Sequence, residues 1–155
     1  MVDVDIQSSS NEPVPTEADL RTWLTAAVAS QSRRERVEIS LRLVDTEEMS
    51  RLNARYRGKQ GPTNVLSFPA DLPAQIDVPL LGDIVICAPV VRREAAAQGK
   101  ALDAHWAHMA VHGALHLLGH EHEQPGEADA MEALETDILR QLDFPCPYAG
   151  SDADP

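Results

Sequence analysis

All six histidines of the chain, at 105, 108, 112, 116, 120 and 122, fall within one short stretch, Ala104–His122, AHWAHMAVHGALHLLGHEH. Inside it runs His112-x-x-x-His116-x-x-Gly119-x-x-His122. Residues four apart on a helix are about 40° out of alignment and roughly one turn apart, so two such rings face one point. Gly119 readily takes positive φ, ends the helix and turns the chain, which allows His122 to come back to the first two rings. Three imidazoles converging from one side, with the other side left open, form the protein half of a catalytic zinc site. Val111, Leu115, Leu117 and Leu118 supply the dry wall that such a site needs. His105 and His108, one to two turns earlier, are either supports for the ligands or plain helix-surface residues. His120 lies in the same turn as His122 and competes with it as a ligand.

The remaining sequence must build a scaffold for that helix. At 155 residues, 43% hydrophobic and 4% aromatic, the chain suits one domain with an aliphatic core. Val2, Val4 and Ile6 alternate with polar residues as in a strand with one wet face, and so do Val37, Ile39, Leu41 and Leu43. Between them Thr16 caps a helix with its apolar stripe on Leu20, Trp23, Leu24, Ala27 and Val28. Asp45-x-x-Glu48 opens a second helix, broken at Gly58 and Gly61-Pro62. Thr63–Phe68 reads as a short strand, 69–79 as a mobile proline-marked loop, and Leu81–Ala88 as a strand covered on both faces. Pro89 starts a helix to about Gln98; the histidine helix follows from about Leu102, then a last amphipathic helix at 127–142.

The expected fold is thus α/β (α+β), a small mixed sheet of about four strands with about five helices. The helices at 16–31 and 45–57 serve as crossovers that permit parallel pairing, while the adjacent strands at 63–68 and 81–88 pair antiparallel. One domain over 1–144 is expected, with 145–155 a disordered tail. The start, MVDVDIQSSS, has no basic, apolar leader, no stretch approaches a membrane span, and two cysteines are too few for a disulfide framework. A reducing cytoplasm is the expected setting.

Net charge of −12 argues against wholesale attraction to nucleic acid, but the charge is uneven. Residues 33–59 carry eight basic and five acidic groups, and 120–155 carry one basic and ten acidic, nets of +3 and −9. A polyanion would meet one favourable face.

The ligand spacing matches the long zinc motif of metzincin peptidases, H-E-x-x-H-x-x-G-x-x-H, except that Gly113 stands where those enzymes carry a glutamate base. Without that carboxylate the chain has peptidase ligands but no peptidase base. HGALHLLGHEH also resembles the HGxLHLxGYDH signature of the YbeY endoribonucleases, bacterial ribosomal RNA maturation factors. Arg57-Gly58-Lys59, Thr63-Asn64-Val65-Leu66-Ser67-Phe68-Pro69 and Leu81-Gly82-Asp83-Ile84 agree with the same family. Here His120 replaces the usual tyrosine and Glu121 the usual aspartate.

The resemblance implies that His112, His116 and His122 hold one zinc ion (Zn2+) and that Arg57 is a functional arginine of the cleft. A guanidinium suits a phosphodiester because its fork grips two non-bridging oxygens and offsets charge growing in the transition state. Capping the end of the second helix is the other role open to Arg57. Lys59 adds phosphate attraction, and Glu121 is a candidate general base by its closeness to His122. The family role implies cleavage of single-stranded RNA, action on the 3′ end of 16S rRNA, ribosome quality control and contact with the small ribosomal subunit. Two rivals remain: a non-catalytic assembly factor with structural zinc closed by His108 or His120, and a metallopeptidase.

Overall fold

The computed structural model describes residues 2–32, 35–70, 79–119 and 125–148. The elements run β1 (Val2–Ser8), α1 (Glu17–Gln31), β2 (Val37–Val44), α2 (Thr46–Arg57), β3 (Val65–Pro69), β4 (Leu80–Cys87), α3 (Ala88–Gln98), α4 (Leu102–Leu117) and α5 (Pro125–Gln141). The four strands form a mixed sheet in the order β1-β2-β4-β3. β1 and β2 pair in parallel with Val2 opposite Val37, and β2 and β4 in parallel with Leu41 opposite Ile84. β3 runs antiparallel to β4, with Ser67 opposite Ile84. The first parallel pair needs a crossover, and α1 supplies it; the second is bridged by α2 together with β3. β3 is left as an edge strand beside the histidine helix.

Helix starts show how local chemistry sets the elements. Thr16 Oγ1 accepts from the Asp19 backbone N–H at 3.1 Å, the cap expected at α1. Asp45 occupies the corresponding position at α2 but makes no capping bond. Its carboxylate accepts instead from the Ser10 hydroxyl and the Asn11 N–H, donors from the β1–α1 loop.

Alternation along the strands sorts two cores. Ile39, Leu41, Leu43, Ile84 and Ile86 face α1, α4 and α5 in the main core, with Leu20, Leu24, Trp106, Leu115 and Ile138 packed against them. Val85 and Cys87 point the other way, onto Met49, Leu66 and Val90. β4 is therefore covered on both faces, as its unbroken apolar run predicts. Burial drives the Cys87 thiol pKa up, so it stays protonated as a small core residue.

Helix α4 is the hub. His105, Trp106, Ala107, His108, Met109, Ala110, Val111, Gly113, Ala114, Leu115 and Leu117 are all buried, more than an amphipathic stripe contains. It lies so close to the sheet that a Cβ on Gly113 would stand 2.9 Å from Ile84 Cγ2 and 3.3 Å from both Ser67 Oγ and Val65 Cγ2. Ser67 Oγ also donates to the Gly113 carbonyl at 2.9 Å, fastening the helix to β3. α4 stops at Leu117, and Gly119, at φ +95°, turns the chain as its position in the motif predicts.

Within the expected tail, Pro147 is buried and the Tyr148 hydroxyl donates to Glu135 of α5. The expected loop falls largely on 71–78, outside the described residues.

Candidate metal centre and substrate cleft

His112 and His116, one turn apart on α4, bring their Nε2 atoms to 3.1 Å, with ring centroids 4.6 Å apart. Two imidazoles on a tetrahedral zinc at about 2.0–2.1 Å would hold their nitrogens roughly 3.3 Å apart, so this pair fits such an ion. Both rings are half-buried and reach a cleft of about 420 Å³ lined by Arg57, Thr63, Asn64, Val65, Leu66, Ser67, His112 and His116. α2 supplies Arg57 from its last turn, and β3 with the turn before it supplies 63–67. Lys59, just past the α2 cap, is exposed and does not line the cleft. His122, His120 and Glu121 lie outside the described residues.

Behind the pair stands Glu135 of α5, fully buried. Its Oε2 accepts from His112 Nδ1, while Oε1 accepts from His108 Nε2 at 3.1 Å and from the Tyr148 hydroxyl. Burial alone would raise the pKa of Glu135, but bonds from His108 and His112 outweigh it and hold the carboxyl at about 2. Burial likewise lowers the pKa of His108, keeping that ring neutral, and raises that of Tyr148, keeping the phenol a donor. A carboxylate on Nδ1 fixes the His112 tautomer and leaves the Nε2 lone pair facing the cleft.

His105 is held the same way. Its Nε2 lies 2.9 Å from Glu94 Oε1, and Glu94 accepts in turn from Asn64 Nδ2 at 3.2 Å. His105 and His108 are thus buried supports, 2% and 6% exposed, and not surface residues. Two carboxylates, one on α3 and one on α5, brace the histidine helix and the start of the cleft wall.

The sequence carries a signal for Glu135 that spacing among the histidines does not reveal. It sits four residues after Met131 and three before Ile138, on the buried face of an amphipathic helix where a carboxylate must find partners. Tyr148 gave no comparable signal. His108, His112 and Glu135 also form a set whose ligand atoms lie within 4.8 Å of one another and could hold a metal ion.

The described residues bear on each rival at one position, Gly113 for the peptidase and His108 for the closed structural site. The peptidase base position is occupied by Gly113, and the adjoining sheet leaves no room for a glutamate there. His108, a candidate fourth ligand for a closed structural site, turns its Nε2 to Glu135.

Taken together, these features define an α/β domain whose central helix offers imidazoles to a metal ion beside an arginine-bearing cleft. A profile of the family described as Endoribonuclease YbeY matches residues 4–143. Endoribonuclease YbeY of Stutzerimonas stutzeri is 53% identical over 150 residues, covering 96% of this chain and 92% of the relative. The Pseudomonas putida (strain W619) protein of the same name is 50% identical over 155 residues, covering 99% and 98%. The fold is also that of the solution structure of TM1509 from Thermotoga maritima, with TM-score 0.57 at 22% identity over 98% of this chain and 97% of that one. The chain belongs to the YbeY endoribonuclease family. Among the described residues no helix is long and apolar enough to cross a membrane.

Proposed function

We propose that the chain is a metal-dependent endoribonuclease that cuts single-stranded RNA in the cleft between α4, β3 and the end of α2. The observation that carries the reading is the convergence of Arg57 with the facing Nε2 atoms of His112 and His116 on one cleft. His112, His116 and His122 are the ligands of one zinc ion, on the Nε2 side of His112. Bound there, zinc supplies Lewis acidity and lowers the pKa of a water towards neutrality. Placement between His108, His112 and Glu135 is disfavoured, because an ion there would displace the hydrogen bonds that satisfy a buried carboxylate.

Arg57 steadies the scissile phosphate and offsets the charge that grows on its non-bridging oxygens. Lys59, further out, adds attraction for the flanking backbone. Glu135 and Glu94 hold the imidazoles and the cleft wall without touching substrate. Among the described residues lining the cleft none is a carboxylate; Glu121 is the candidate general base that the sequence offers. Family membership supports a role in ribosomal RNA maturation at the 3′ end of 16S rRNA and in ribosome quality control, in the cytoplasm and in contact with the small subunit.

The test is cleavage of an end-labelled single-stranded RNA by protein of measured zinc content. His116→Ala is expected to lose both zinc and cleavage. Arg57→Ala is expected to keep wild-type zinc content while turnover falls about a hundredfold, the usual cost of removing one transition-state donor. RNA left intact by fully loaded wild-type protein would overturn the reading.

A further inference from the structure

In a chain with 25 acidic residues, positions 49–70 contain none, yet they carry Arg51, Arg55, Arg57 and Lys59. This acid-free run forms most of α2, the following turn and β3, and so supplies the whole non-histidine wall of the cleft. On it stands Tyr56, 56% exposed and the most exposed large hydrophobic side chain among the described residues. Its ring is not loose. Phe68 of β3 meets it edge-to-face with centroids 5.2 Å apart, and the Arg55 guanidinium lies 5.3 Å from its centroid. Tyr56 directly precedes Arg57, so the two side chains leave α2 about 100° apart at the same level of the helix.

A ring held by an aromatic and a cation, more than half exposed beside a phosphate-gripping arginine, has the chemistry of a base-stacking platform. We propose that Tyr56 stacks the nucleobase next to the scissile phosphate, while Arg55 and Lys59 neutralise the phosphates of that neighbouring nucleotide. The occupant is single-stranded RNA; paired bases are already stacked within a duplex and present no free face to the ring. The proposal rests on the nuclease reading above and names the contact by which that cleft prefers unpaired substrate.

The experiment measures binding of a fluorescein-labelled single-stranded RNA dodecamer to zinc-loaded wild type, Tyr56→Ala, Tyr56→Phe and Tyr56→Trp, at low temperature and short times, with cleavage followed in parallel. Tyr56→Ala is expected to bind at least fivefold more weakly with unchanged zinc content and a thermal midpoint lower by only a few degrees, the cost of losing the Phe68 contact, and Tyr56→Phe to bind like wild type. In Tyr56→Trp, the emission of the new indole is expected to be quenched by single-stranded RNA and not by a duplex of the same sequence. Wild-type affinity in Tyr56→Ala, or an indole that ignores RNA while the protein still binds it, would overturn the platform and leave the nuclease reading standing. If wild type neither binds nor cuts the RNA, the nuclease reading fails and the platform with it. Weakening of Tyr56→Ala towards a protein partner but not towards RNA would reassign the patch as a protein-docking surface and also overturn the proposal.

Discussion

A metal-binding histidine needs its remote nitrogen held as firmly as its near one, and Glu135, which accepts from His112 Nδ1, would do that for the proposed ligand. The same carboxylate is satisfied by His108 and Tyr148, so its position does not depend on the ion. Glu135→Gln keeps the shape but replaces a charged acceptor with an amide. It is expected to weaken zinc binding about 10- to 100-fold, the usual cost of losing such a support. Competition with a chromophoric chelator measures this directly. Affinity unchanged from wild type would detach Glu135 from the site. Retention of zinc by His116→Ala alongside its loss from Glu135→Gln would move the ion to the His108–His112–Glu135 side. The pairing of His112 with His116 and the turn at Gly119 were legible at this scale because both are local, one helical turn and one glycine. Glu135 and Tyr148 were not legible as supports, because they meet His108 and His112 only after the chain has crossed the domain.

At the scale of elements, α4 is pinned to the sheet by the missing side chain at 113. Alanine normally improves a helix by about 1 kcal/mol relative to glycine. Here the added Cβ would crowd Ile84, Val65 and Ser67, and overpacking costs about 1–3 kcal/mol. Gly113→Ala is therefore expected to lower the thermal midpoint by a few degrees; a rise would show that β3 yields freely. The α3 contact gives a pH dependence. The hydrogen bond from His105 holds the Glu94 pKa below the ordinary carboxylate range, aided by Asn64 and opposed by burial. A carboxylate with a depressed folded-state pKa contributes stability that is fully present above its unfolded value of about 4.3 and is lost as pH falls through the folded value. Chelator-treated Glu94→Gln should accordingly show a shallower loss of stability below pH 4.3 or so than wild type, read from urea midpoints across the acid range. Parallel acid limbs would remove Glu94 from that account. Periodicity made the elements legible: the period-two strands, the Thr16 cap and the doubly covered β4 all follow from neighbours in sequence. It could not show that Asp45 would turn from capping to Ser10 and Asn11, since those donors arrive from another loop.

Across the whole molecule, the problem is how a chain of net charge −12 holds a polyanion. The acid-free run from 49 to 70 bears on it locally: it concentrates cations on the non-histidine wall of the cleft, while the excess of acid lies at 120–155. Such a patch is small. Arg51 is paired with Glu47, so on the proposed reading the phosphate contacts are Arg55, Arg57 and Lys59. Each neutralised phosphate on a single strand contributes about −0.7 to the slope of log affinity against log salt, so three contacts predict a slope of about −2. Titrating the labelled single strand between roughly 50 and 200 mM salt spans the range in which such release is read. A slope near −2 that falls to about −1.4 in Lys59→Ala would place the lysine on the RNA backbone. A slope that is unchanged in that variant would remove it, and one steeper than about −4 would require cations beyond this wall. The shallow slope has a functional corollary. Affinity built on so few phosphate contacts is weak, and a stacking contact of the kind proposed for Tyr56 accepts any base, so on this reading the choice of cutting site would fall to whatever presents the strand to the cleft.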